Sequence, residues 1–171
     1  MSQLRPLIPT LAALALLCAC SQPSAPAPRA SKPSYDVVAA IRAAGQRDKS
    51  AIEVAPLRDP AVQGLLDAAH ADETARRYQD AADQLDQALK LSPQSPDLLQ
   101  DRAELAVRLG DYAGAERMAR QSFAMGPKLG SLCARNWQTA IEMRKIAGDA
   151  AGAARARQAL AQCQVDGPVR M

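Results

Sequence analysis

Four cysteines and one histidine are the side chains of this 171-residue chain best suited to chemistry. Cys18 and Cys20 stand almost together at the end of an apolar run, whereas Cys133 and Cys163 lie far along the chain. A zinc site or a His-activated nucleophile needs several such groups to converge, and His70 is the only imidazole available. The sequence contains no HExxH, no GxSxG and no glycine-rich phosphate loop. Carboxylates are plentiful, but they fall on amphipathic stretches, where they make a solvated face rather than an acid/base pair. The expectation is a protein that is not an enzyme, with no cofactor and no metal. The cysteines are then left with two tasks, one for each pair.

The first task belongs to the N-terminus. One basic residue, Arg5, precedes an apolar run over residues 7–17, interrupted by Pro9 and Thr10. A permanent membrane helix needs about 20 apolar residues, so a run this short reads as the core of a secretory signal. It ends in Leu17, Cys18, Ala19 and Cys20, which resembles the lipobox of bacterial lipoproteins: a branched apolar residue, a tolerated one, a small one, then the lipidated cysteine. Cys18 does not fit as that cysteine, because bulky Leu17 precedes it where cleavage needs a small side chain. The resemblance implies that residues 1–19 are removed, that Cys20 carries the acyl chains (palmitate among them), and that Ser21 directs sorting to the periplasmic face of the outer membrane. Residues 20–34 then form a tether. Four prolines in it, Pro23, Pro26, Pro28 and Pro33, forbid a helix and favour an extended spacer reaching about 40 Å.

Removing Arg5 with the signal takes 21 basic residues to 20, against 18 acidic ones. That balance leaves no electrostatic footprint for nucleic acid. Aromatic residues are 3% of the chain, too few for base-stacking platforms or an aromatic-rich β core. Alanine and leucine dominate among good helix formers, and the fold class is all-α.

The elements that follow repeat. Displacing the chain by 34 residues aligns Leu65 with Leu99, Asp67 with Asp101, Tyr78 with Tyr112, Ala81 with Ala115 and Pro93 with Pro127. Displacing it by 38 aligns "GDYAGAER" at 110–117 with "GDAAGAAR" at 148–155, six positions of eight identical. The period resembles that of the tetratricopeptide repeat, two antiparallel helices and a turn. The resemblance implies a short right-handed superhelical array of about three hairpins over 59–163, followed by a tail at 164–171. Asp59 and Ser95 are N-cap candidates before Pro60 and Pro96, and Asp111 and Asp149 cap second helices after Gly110 and Gly148. These signals predict helices over 60–75, 78–91, 96–109, 111–125, 132–147 and 150–163. Asp72, Arg102 and Arg144 stand at first-helix positions that the family usually fills with apolar residues. Upstream, within 35–58, Val37, Val38, Ile41 and Ala44 make the stripe of a short helix, expected to cap the first hairpin. Trp137 is expected to pack inside the third hairpin.

Tetratricopeptide arrays bind peptides or partner helices on the concave face lined by their first helices. Projected onto this chain, the lining is Leu66, His70 and Glu73, then Gln100, Glu104 and Arg108, then Gln138, Glu142 and Lys145. The implied function is a lipid-anchored periplasmic adaptor binding a protein or peptide partner, similar to tetratricopeptide lipoproteins that support envelope assembly, secretion machinery or peptidoglycan enzymes. The alternative is a structural envelope lipoprotein, a spacer or cell-wall contact with no peptide groove.

The second task falls to Cys133 and Cys163, the two thiols remaining after export to an oxidising compartment. Each lies 15 residues from Gly148, the turn of the third hairpin. Antiparallel helices would carry both about 22 Å from that turn, to the same open end. A disulfide between them is expected.

Overall fold

The computed structural model describes residues 33–47 and 57–164. The proposed signal, Cys20, the tether up to residue 32, segment 48–56 and tail residues 165–171 lie outside the described residues. Seven α-helices and no strand occur among those described. They are α1 (Val37–Arg47), α2 (Pro60–Thr74), α3 (Tyr78–Leu91), α4 (Pro96–Leu109), α5 (Tyr112–Met125), α6 (Gly130–Ile146) and α7 (Ala150–Ala161). Helices α2 and α3, α4 and α5, and α6 and α7 pair as three successive hairpins, with α3 against α4 and α5 against α6.

The boundaries follow from local chemistry. Pro60 and Pro96 occupy first-turn positions, where a missing N–H costs nothing. Asp59, Asp111 and Asp149 accept from the backbone N–H groups of Ala61, Gly114 and Gly152 at 2.7–2.8 Å, satisfying donors that a helix start leaves open. Ser95 also sits at an N-cap, but its hydroxyl pairs with that of Ser92 at 2.6 Å instead of capping. Gly110 and Gly148 turn the second and third hairpins with φ of 84° and 73°. The same place in the first hairpin is held by Arg76 at φ 60°, the one non-glycine residue with positive φ among those described.

Small side chains let paired helices approach. Ala81, Ala115 and Ala153 are all essentially inaccessible, as the repeat requires. The first core joins Val62, Leu66 and Ala69 of α2 to Ala82, Leu85 and Ala88 of α3 and to Leu98 and Leu105 of α4. The polar residues at usually apolar positions are each answered by an ion pair: Asp72 with Arg77, Arg102 with Asp86, and Arg144 with Glu116 and Asp149.

Helix α1 departs from expectation. Instead of capping the first hairpin it lies along α6 and touches α4. Its stripe, Val37, Val38 and Ile41, buries against Ala106 and Val107 of α4 and Met143 and Ile146 of α6. Each such aliphatic side chain contributes about 1.5–3 kcal/mol by leaving water. The apolar stripe was legible in sequence, but the larger apolar surface that receives it is made by the second and third units together. Gly45 permits the approach: a Cβ there would lie 2.8 Å from Cγ of Arg135 and 3.1 Å from the Ser131 carbonyl oxygen.

Candidate interaction site

The first helices of the three hairpins, α2, α4 and α6, expected to line the concave face, all meet α1, which packs along α6, touches α4 and reaches α2 through Arg42. Arg42 of α1 carries the polar half of this seating. Its Nη2 donates to both carboxylate oxygens of Glu73 at 2.9 Å, and its Nε donates to Oε2 of Glu104 at 2.7 Å. The other oxygen of Glu104 accepts from Arg135 Nε at 2.8 Å and Gln100 Nε2 at 3.0 Å. Gln100 also donates to Oγ1 of Thr139 at 3.0 Å. Glu104 is fully buried, and such a charge is tolerable only because two guanidiniums and an amide answer it.

Arg135 continues the network to Asp101, with Nη2 2.6 Å from Oδ1. Burial works against the charge on Arg135, but the carboxylates of Glu104 and Asp101 outweigh it and hold the proton more firmly than usual. Burial has the opposite net effect on Asp101, whose carboxyl is pushed up despite the neighbouring guanidinium.

At the other end of α1, the Tyr35 hydroxyl donates to the buried carboxylate of Glu142. Burial and that carboxylate push the phenol up to about 12, so Tyr35 stays a donor at physiological pH. Glu142 also accepts from Gln138 at 2.6 Å and Lys145 at 2.9 Å. Asp36 takes Arg108 at 2.9 Å and caps α1 by accepting from the Ala39 N–H at 2.9 Å. Partial burial opposes ionisation of Asp36, and these two donors prevail, holding its carboxyl below the usual aspartate value.

The nine projected groove residues therefore separate into four groups. Glu73, Glu104, Arg108 and Glu142 bond directly to α1 or its leading turn, while Gln100, Gln138 and Lys145 brace those carboxylates. Leu66 turns instead into the core of the first hairpin, because α3 covers that side of α2. His70 is exposed. The open polar strip expected from sequence is thus corrected to one already occupied by the chain's own helix. Tyr35, Asp36, Arg42, Gly45, Asp101 and Arg135 complete this interface and were missed. Their one local signal was a charged Arg42 directly after the buried apolar Ile41.

The third hairpin brings Cys133 and Cys163 together with Cα atoms 5.6 Å apart, the spacing of a bridged pair. The Gly130 N–H donates to the Cys163 carbonyl at 2.8 Å, closing the same end through the backbone. Trp137 packs there with Phe123 and Leu160. Among the described residues no group of three or more His, Cys, Asp or Glu side chains is placed to hold a metal, and no helix is long and apolar enough to cross a membrane.

Successive antiparallel hairpins with alanines at their crossings define a helical-repeat scaffold of the kind that binds proteins. A family model for the tetratricopeptide repeat matches residues 74–135. The globular C-terminal domain of Pseudomonas aeruginosa LpoP superposes with a TM-score of 0.57 at 30% identity, over 61% of this chain and 99% of that domain. The chain belongs to the tetratricopeptide-repeat family. No curated protein matches it in sequence.

Proposed function

We propose that this protein is a lipid-anchored periplasmic adaptor, held by acylated Cys20 at the outer membrane and recruiting a protein or peptide partner in envelope assembly or maintenance. It acts by binding, without catalysis. The observation that carries the reading is the LpoP likeness: it spans nearly all of a domain described as globular and C-terminal, and here too the repeat follows an N-terminal segment. That segment supplies the lipobox-like residues Leu17, Cys18, Ala19 and Cys20 and the proline-rich tether. Confinement by a tether of this length raises the effective concentration of a second binding event into the millimolar range.

The groove residues enter this reading in a changed role. A partner would reach Glu104 and Glu142 only by taking the place of α1, and it would need the same complement: an apolar stripe, a guanidinium for Glu73 and Glu104, and a hydroxyl for Glu142. The seating of α1 favours the second reading, a structural spacer whose concave face is permanently closed. Residue-specific photo-cross-linking in cells separates the two, with probes at the exposed positions His70 and Lys145 and, on the other helices, Gln121 and Arg157. Capture of one defined protein from a consistent set of positions supports the adaptor. Capture of cell wall alone, or equal capture everywhere, supports the spacer. The anchor is tested separately: Cys20→Ala is expected to leave an uncleaved, unacylated precursor, and a mature N-terminus at any other residue contradicts it.

A further inference from the structure

Away from α1, the surface made by α5, α6 and α7 contains a cleft that the concave face does not explain. Trp137 stands at its centre, with Arg120 stacked over the indole, the guanidinium 5.5 Å from the ring centroid. One cavity, of about 240 Å³, opens on the α7 side of Trp137 and is walled by Arg120, Arg144 and Arg155. A second, of about 150 Å³, opens on the α5 side between Phe123 and Asn136, and shares Arg120 and Trp137 with the first. No residue of α1 lines either cavity.

Two observations say what this cleft lacks. Asn136 is 2% exposed, yet neither its amide nitrogen nor its amide oxygen has a hydrogen-bond partner. A buried amide left unpaired costs folding free energy, and this one borders a cavity large enough to admit the group that would satisfy it. An amide side chain offers one donor edge and one acceptor, the complement of a peptide group. The second observation is charge. Arg120 and Arg144 share the carboxylate of Glu116 at 2.7 and 2.8 Å, and Arg144 also reaches Asp149 at 3.0 Å. Arg155 has no carboxylate within ion-pair distance among the described residues, so three cations face two anions. Guanidiniums in this state select carboxylates.

We propose that the cleft over Trp137 binds a short acidic peptide segment. Asn136 takes a backbone peptide group, Phe123 and Trp137 receive an apolar side chain, and Arg155, with Arg144 and Arg120, takes the carboxylates. The proposal rests on the adaptor reading for the source of the peptide, a protein partner, and assigns that partner a seat that leaves α1 in place.

Trp137 is the only tryptophan in the chain, so its emission reports directly on the cleft. The full mature chain is titrated with the end-blocked peptide Leu-Glu-Glu-Leu, and with versions in which both Glu are Gln or Lys. A saturable change in emission is expected with the Glu peptide, about tenfold weaker with Gln and absent with Lys. Arg155→Gln is expected to weaken binding of the Glu peptide about tenfold and to leave the Gln peptide nearly unchanged. Asn136→Ala is expected to weaken both. Because Arg155 is exposed and outside the core, its variant decides the matter even if Asn136→Ala fails to fold. No saturable change with the Glu peptide, equal response to the Lys peptide, or an unaltered Arg155→Gln overturns the proposal. If the peptides fail while a defined partner is still captured in cells from other positions, the cleft is excluded and the adaptor survives.

Discussion

Arg76 shows how a single residue can depart from its repeat. It holds the left-handed turn position that Gly110 and Gly148 hold in the next two units. A side chain with a Cβ pays about 1–2 kcal/mol there, partly returned by its lower unfolded-state entropy. Arg76→Gly is therefore expected to raise stability by about 0.5–1 kcal/mol, read as a higher denaturant midpoint with an unchanged slope. The aspartates at the α1 seat make a second prediction, and their signs oppose. Asp36 ionises more readily in the fold, so its contribution is present above the ordinary value of 3.8 and is lost as pH falls through its lower folded value. Asp101 ionises less readily, so its contribution is fully present below 3.8 and is lost as pH rises through its raised folded value. As pH falls, Asp36→Asn should flatten the loss of stability below about pH 4, whereas Asp101→Asn should steepen it above about pH 4, where the unfolded-state carboxyl is ionised and the folded one is not. Thermal melts from neutral pH into acid check both, and the same sign of change in the two variants would refute the assignment.

At the scale of elements, most of the fold was legible because the repeat writes its boundaries in backbone chemistry. Proline at helix starts, aspartate before a hairpin's second helix and glycine at the turn act locally, so caps read from sequence land within two residues of the observed ends. What could not be read was where α1 goes. Its stripe of Val37, Val38, Ile41 and Ala44 specifies that one face is buried, whereas its partners Glu73 and Glu104 lie 31 and 62 residues away. Periodicity carries no information on such pairings. The projection of Leu66 onto the groove fails for the same reason, since helical spacing groups it with His70 and Glu73 without saying that α3 covers it. The third hairpin ends the array of described hairpins. Its two helices have one neighbouring hairpin, and Cys133 and Cys163 come within bridging distance at their open end. If the pair is bridged in the exported protein, replacing both by Ala should cost about 3–4 kcal/mol, with the loss concentrated in α6 and α7. Free, alkylatable thiols in periplasmic protein would show that the tie does not form.

In the whole molecule, the leading helix α1 seats itself against the first helices of this tetratricopeptide array, where a partner would be expected to lie. Residues 33–36 lead into α1 at this face, so a partner that leaves α1 in place has to bind elsewhere. An 11-residue helix such as α1 is marginal in water by itself, so its persistence depends on its seat against α4 and α6. Hydrogen exchange of the full mature chain reads this directly, with Gly45→Val as the variant that places a side chain against Arg135 and Ser131. The expected result is protection of the α1 amides of residues 41–47 comparable to that of α4, falling by at least tenfold in Gly45→Val while α2 to α5 keep theirs. Exchange of those amides in the unaltered chain at the rate of an unstructured peptide would mean that the groove stands open, and would contradict the claim.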